Sequence, residues 1–175
     1  HDGLSEGIKC ASFGDPDLFA ALEDFSGDED VLAHAAEISA ACCRIKVKVV
    51  EEDERDVGAR MVLNFGHTIG HAVERYYHYE KYTHGEGVAI GMVRLTRNTE
   101  KMGLTEHGTA DRIRRLLQKY DIPTEDPISD EDVLAGITMD KKKRGNQITL
   151  VIVPAIGKRM LKKVDFADLR PYVKG

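Results

Sequence analysis

The sequence has no tryptophan, and phenylalanine and tyrosine raise the aromatic share to only 6%. Its core must therefore be built from aliphatic side chains. No run of 18 apolar residues occurs, so no membrane-spanning helix is expected. Cysteine is scarce: Cys10, Cys42 and Cys43 form an odd set, two of them adjacent, which suits neither a disulfide framework nor a CxxC site. Reduced thiols at core or near-core positions, in a cytoplasmic protein, are the simplest expectation. HEXXH is missing, and so is a glycine-rich dinucleotide loop after a strand. A starting Met is missing too. The chain opens His1-Asp2-Gly3, as a fragment or processed product would. Positive charge is in deficit, with 25 Lys+Arg against 30 Asp+Glu, a net −5 and a pI near 5.8. A mildly acidic chain is not expected to bind nucleic acid in general.

What is present describes one soluble globular domain of 175 residues, 42% hydrophobic and 31% charged. The charge is uneven. Residues 1–56 hold 15 acids and 5 bases, whereas residues 139–164 hold one acid, Asp140, and eight bases: Lys141, Lys142, Lys143, Arg144, Lys158, Arg159, Lys162 and Lys163. A solvated face accounts for most of these bases. The alternative is a site for an anionic small molecule, because ammonium and guanidinium groups neutralise phosphate or carboxylate.

The apolar periodicity is mostly helical. Residues 3–12 read as a short helix, Gly14-Asp15-Pro16 breaks it, and Asp17–Asp24 makes another. Asp28 is expected to cap a long helix to about Asp56, with the seam Val31, Ala35, Ile38, Cys42, Ile45 and Val49. After Gly58, Met61-Val62-Leu63 is a short link, and Asn64-Phe65-Gly66 turns into a helix from His67 to about Tyr79. Further helices are expected over about 85–102, capped near Thr83, over 105–120, and from a Ser129 cap to Met139. Ile148–Val153 and Lys158–Val164 then read as a hairpin around Pro154–Gly157, with a last short helix after Asp165 that Pro171 limits. The expected fold is mainly α, a multi-helix domain with one small C-terminal β-hairpin.

Four of seven histidines fall between residues 67 and 84. On a helix, His67, His71, Glu74 and His78 lie within about 60° of one another, with Ile69, Ala72, Val73, Tyr76 and Tyr77 opposite. An HxxxH pair alone is often only the wet face of a helix. Here Gly66 and Gly70 flank the histidines and permit close backbone approach. A second segment, His84-Gly85-Glu86, opens a glycine-containing helix. Two helix starts, each offering an imidazole, can bracket a cation. Two histidines and a carboxylate would make a metal site with an open position. The residues alone leave Glu74 and the distant Glu6 both open as that carboxylate. His34, His78 and His107 match no motif and are expected to be surface or structural.

The run Leu63-Asn64-Phe65-Gly66-His67-Thr68-Ile69-Gly70-His71-Ala72-Val73-Glu74, followed by His84-Gly85-Glu86-Gly87-Val88-Ala89-Ile90-Gly91-Met92, resembles the 3-dehydroquinate synthase family. Gly3-Leu4-Ser5-Glu6-Gly7-Ile8-Lys9, the Asp53-Glu54-x-Asp56-x-Gly58-x-Arg60 run, Asp140-Lys141-Lys142 and the Ile156-Gly157 turn are similar to further family segments, in order. The likeness is to the C-terminal half of the family. It implies a single helical domain over residues 1–175, with an N-terminal NAD-binding α/β domain absent from this chain and no cofactor-binding residues for NAD here.

The resemblance implies Glu6, His67 and His84 as ligands of a divalent metal, Zn or Co, with His71 and Lys9 as catalytic residues and His71 moving protons. Lys46, Asp56, Arg60, Asn64 and Lys141 would be the substrate contacts, Lys9 joining the cations on its phosphate and carboxylate; Lys141 and Lys142 both remain open for one contact. The implied reaction takes a seven-carbon keto-acid sugar phosphate to 3-dehydroquinate and phosphate, with catalytic NAD. The implied partners are that small anionic substrate, the chain's own NAD domain and a second copy in a homodimer, with neither nucleic acid nor membrane. The sequence departs from the family at Asp56 for Glu, Gly87 for Ala and Ser5 for Ala, and Gly7 and Cys10 stand at less usual positions. Alternatives are another sugar phosphate cyclase of the 2-deoxy-scyllo-inosose type, a metal-dependent alcohol or glycerol dehydrogenase, and a non-enzymatic metal-binding module. The Glu6/Lys9 and Arg60/Asn64 pairs speak against the dehydrogenases, since a simple alcohol needs no anion clamp.

Overall fold

The computed structural model describes residues 2–139 and 145–175. In order it has α1 (Asp2–Gly14), α2 (Pro16–Asp24), α3 (Asp28–Ala33), α4 (Ala35–Arg55), a 3-10 helix (Ala59–Asn64), α5 (His67–Tyr76), α6 (His84–Lys101), α7 (Thr109–Lys119), α8 (Asp130–Thr138), β1 (Gln147–Ile152), β2 (Met160–Asp165), a 3-10 turn (Phe166–Asp168) and a last helical turn (Arg170–Val173). β1 and β2 pair antiparallel with Ile148 opposite Val164 and Ile152 opposite Met160. This is the expected helical domain with its single hairpin.

Side-chain caps explain three of the helix starts. The Asp15 carboxylate accepts from the amides of Asp17 and Leu18, and Pro16 sits in the first turn of α2, where its missing N–H costs nothing. At α6 the Thr83 hydroxyl accepts from Glu86 N and the Glu86 side chain reaches back to Thr83 N, a reciprocal capping box. Ser129 accepts from Asp132 N at the start of α8. Each such cap is worth about 1 kcal/mol.

Several expected boundaries move. The helix expected over Asp28–Asp56 breaks at His34. His34 N is shared between the carbonyls of Asp30 and Val31, and its Nδ1 also lies 2.8 Å from Asp30 O, while its ring stacks on Phe25 at 4.8 Å. Gly27, not Asp28, is the cap residue of α3, and Asp30 instead accepts from Ser26. The link Met61-Val62-Leu63 is wound into the 3-10 helix. α5 stops at Tyr76, because His78 and Tyr79 take positive φ, which removes His78 from the histidine stripe. Tyr76 is exposed rather than on an inward face. α7 begins at Thr109 rather than 105, since Thr105 is drawn into hydrogen bonds with Thr99 and Val153 O. Pro171 lies inside the last helical turn instead of ending it. Cys10 is buried and Cys42 half-buried, but Cys43 is exposed, against the expectation for all three. Asp140, Lys141, Lys142, Lys143 and Arg144 lie outside the described residues. Of the other bases in that stretch, Arg159 forms a forked pair with Glu52 at 2.7 and 2.8 Å, and Lys158 and Lys163 are solvated.

Two apolar clusters form the interior, and α6 runs between them; Phe13, Phe19, Phe65 and Tyr120 are fully buried in one of them, so the core is not built from aliphatic side chains alone, against the expectation. Val88, Ala89, Met92 and Val93 join Ile8, Phe13, Phe19, Leu22, Ile45 and Ile113 on one side. Ile90 and Leu95 join Ile69, Val73, Val133, Leu150 and Leu169 on the other. Burial of each such side chain stabilises by about 1.5–3 kcal/mol. α6 is buried on nearly all sides over Gly85–Thr96, which fixes its first turn, and therefore His84, in a rigid frame.

Candidate metal centre

The site is built where α5 and α6 begin. Gly66 precedes α5 with φ of +80°, a conformation that glycine adopts without Cβ strain, and it turns the chain so that His67 opens the helix. α5 then crosses α6 at backbone contact. A Cβ added at Gly91 would lie 2.1 Å from Gly66 O, and one at Gly70 would lie 2.9 Å from Gly87 O. No side chain fits in that crossing, and the absence brings His67 and His71 of α5 against His84 of α6.

The result is a cluster of imidazoles. One ligand atom from each of His67, His71 and His84 falls within 4.8 Å of the others. Ring centroids are 5.3 Å apart for His67–His71, 5.0 Å for His67–His84 and 5.6 Å for His71–His84. His67 Nδ1 lies 3.3 Å from Phe65 O, and His84 Nδ1 lies 3.2 and 3.3 Å from the two oxygens of Glu74. Burial pushes the His67 pKa down to about 4, with help from the Lys9 charge and the neighbouring imidazoles. His67 is therefore neutral at pH 7, the form that ligates metal. Imidazoles with a carboxylate nearby suit a borderline divalent ion such as zinc or cobalt, so the donor set fits the implied metal.

Glu6 stands beside this cluster and is turned to cations. Its carboxylate pairs with Lys9 at 2.9 Å and with Lys46 of α4 at 3.1 Å. Burial raises its pKa, but the bonds and charges of Lys9 and Lys46 together outweigh that and hold it below the ordinary value. Glu6 and His84 share the lining of a cavity of about 310 Å³ with Asp2, Ser5 and Gly85. α1 is stitched to the start of α6 by Thr83, which donates to Asp2 at 2.5 Å, and by Ser5, whose hydroxyl donates to Gly85 O at 2.8 Å. Ser5 thus helps to hold the Glu6 helix against the His84 turn.

Lys9 is 4% exposed, and its Nζ also donates to Leu63 O at 2.6 Å. It fastens α1 to the 3-10 helix that ends in Asn64. Asn64, His67, Thr68 and His71 line a second cavity, about 400 Å³, closed by Met61 and by Gln147–Thr149 of β1. Arg60 is drawn to Asp53 at 3.2 Å, and Asp53 also accepts from the amides of Gly58 and Arg60. Asp56 is exposed at the end of α4. The structure therefore gathers Glu6, Lys9, Lys46, Asn64, His67, His71 and His84 around one corner, leaves Arg60 paired at its margin, and keeps Asp56 solvated. Sequence reasoning did not single out Gln147 and Thr149, whose strand carries no motif; of the two carboxylates it left open, Glu74 lies against His84 Nδ1 and Glu6 between two lysines.

A family model described as 3-dehydroquinate synthase C-terminal matches residues 3–143. The chain belongs to this family. It is 44% identical over 175 residues to a 3-dehydroquinate synthase of Clostridium acetobutylicum, covering 99% of this chain and 49% of the relative. It is 46% identical over 177 residues to one of Lactococcus lactis, covering 99% and 49%. The chain thus spans about half the length of the curated relatives it matches. Among solved structures it resembles a 2-deoxy-scyllo-inosose synthase complexed with carbaglucose-6-phosphate, NAD+ and Co2+, with a TM-score of 0.74 at 20% identity, over 99% of this chain and 50% of that one. It also resembles a 2-epi-5-epi-valiolone synthase of Streptomyces hygroscopicus with NAD+ and Zn2+ bound, with a TM-score of 0.72 at 19% identity, over 96% and 48%. At those identities the likeness shows the fold.

Proposed function

We infer that this chain is the metal- and substrate-binding half of a 3-dehydroquinate synthase, acting with an NAD-binding domain on 3-deoxy-D-arabino-heptulosonate 7-phosphate to give 3-dehydroquinate and phosphate. The observation that carries the reading is the imidazole cluster of His67, His71 and His84 beside the Glu6–Lys9–Lys46 triad, in a chain of this family. Glu6, His67 and His84 hold the metal, with the Glu6 carboxylate released from its lysines on binding. When bound, the metal supplies Lewis acidity at a substrate oxygen, and NAD supplies reversible hydride uptake.

The chain's own residues do the rest. His71, one turn along α5 from His67, takes and returns protons at the substrate. Lys9 and Lys46, once freed from Glu6, face the substrate's phosphate and carboxylate, and Asn64 donates to them from the end of the 3-10 helix. Arg60 is the forked anion clamp, moving from Asp53 to the substrate. Asp56 and Lys141 complete the contacts. Holding a multiply charged substrate at fixed points makes the later steps effectively intramolecular.

The test is phosphate release from the keto-acid sugar phosphate by this chain joined to its NAD-binding half, and by the chain alone. Release with NAD by the joined protein and none by the chain alone is expected. No release by the joined protein would refute the reading, and NAD-dependent turnover by the chain alone would refute the division of labour.

A further inference from the structure

Glu74 is a buried acid, 6% exposed, on the face of α5 that packs against α6. Among the described residues no lysine or arginine pairs with it, and its ion-pair geometry is with His84. A carboxylate in such a place is costly unless it is paired and hydrogen-bonded. Both of its oxygens lie at hydrogen-bond distance from His84 Nδ1, 3.3 and 3.2 Å. A carboxylate only accepts, so in the neutral ring that a metal requires the proton would sit on Nδ1 and leave the Nε2 lone pair for the metal.

Room for this acid comes from the opposite helix. A Cβ added at Gly87 would lie 2.9 Å from Glu74 Cγ and 3.3 Å from its Cδ. The glycine at this position, one turn beyond His84, is the notch into which the acid's stem fits. His67 is held differently, with Nδ1 against the uncharged carbonyl of Phe65 at 3.3 Å.

We propose that Glu74 is the positioning carboxylate of the metal centre, fixing the tautomer and orientation of His84. The proposal rests on the reading of His84 as a metal ligand. It assigns Glu74 an action through His84 rather than contact with metal or substrate. A carboxylate behind a ligating imidazole raises its basicity, and loss of such a partner lowers metal affinity by about 10–100-fold.

The test is the Kd of the chain for Zn2+ and Co2+, by competition with a chromophoric chelator, for wild type, His84→Ala, Glu74→Gln, Glu74→Ala and Gly87→Ala, with metal-free thermal midpoints measured alongside. Glu74→Gln keeps the shape and an accepting oxygen. It is expected to weaken binding about tenfold at a nearly unchanged midpoint, with Glu74→Ala nearer 100-fold. Gly87→Ala, whose Cβ the flexible Glu74 stem can move away from, is expected to bind nearly as wild type does, and the Co2+ absorption spectrum is expected to shift in the two Glu74 variants. If His84→Ala abolishes binding while Glu74→Gln and Glu74→Ala stay within about twofold of wild type, the proposal is wrong and the metal reading stands. If His84→Ala binds as wild type does, the metal reading itself fails and the proposal with it.

Discussion

The two halves of α6 solve opposite problems. Its first two turns carry Gly85, Gly87 and Gly91, and what matters there is missing side chains: α1 and α5 come close enough to place Glu6, His67 and His71 around His84. Its last two turns carry buried polar side chains, of which Arg94, Asn98 and Thr99 are hydrogen-bonded and only the Thr96 hydroxyl, among the described residues, is not. Arg94 donates to Val173 O, Ile128 O and Asp130 at 2.7, 3.1 and 2.9 Å, and Asn98 donates to Tyr172 O and Lys174 O at 2.9 Å each. These bonds pin the chain's last residues onto the helix. One half makes room by leaving side chains out, and the other fills its room with hydrogen-bonded ones. Stability and site geometry are thereby separable along a single helix.

Arg94→Ala should break the closed half. It leaves the carbonyls of Val173 and Ile128 without this donor and Asp130 with the Gly175 amide but no cation, and a loss of about 3 kcal/mol or more is expected. A calorimetric midpoint lower by roughly 6–12 °C, with metal affinity unchanged below the transition, would fit the separation. Loss of metal binding by the folded variant would break it. Gly91→Ala should strike the open half through packing, because its Cβ meets Gly66 O at 2.1 Å. Overpacking of this kind costs about 1–3 kcal/mol, and here both the midpoint and the metal affinity should fall together.

Acid should also act on the open half. The folded His67 pKa, about 4, lies below the ordinary imidazole value, so protons bind the unfolded chain better. Its contribution to the metal-free chain is complete above pH 6.5 and falls as pH drops through the window from 6.5 to 4. Denaturant midpoints across that range should decline in wild type, and the decline should be shallower in His67→Phe; equal slopes would contradict the assignment. The smallest effect on stability is expected at Arg60, whose pair with Asp53 is exposed and screened by solvent. Arg60→Ala should leave the melting curve nearly unchanged while raising the KM for the sugar phosphate in the joined enzyme.

The sequence made the i,i+4 spacing of His67 and His71 and the i,i+3 pairing of Glu6 and Lys9 legible, because both are local to one helix. The hairpin was legible from its β-rich runs. The break at His34 was not, because the apolar seam continues across it and the disruption comes from the His34 ring competing for Asp30 O. The end of α5 was hidden too. Asp126, about fifty residues on in sequence, accepts from Tyr77 and Tyr82 and pairs with Lys81, and this knot gathers the segment after Tyr76. Glu74 could be placed on the histidine face by periodicity, but its partner across α6 depends on how closely the helices approach, and that distance is a tertiary property.

The central claim is that the glycine-lined start of α6 meets α5 to form a metal centre. Its most direct test is the bound Co2+ per chain, measured by elemental analysis after dialysis, for wild type, His67→Ala, His84→Ala and Arg94→Ala, all below their melting transitions. The account predicts about one ion in wild type and Arg94→Ala and almost none in the two histidine variants. Full occupancy in both histidine variants would contradict it.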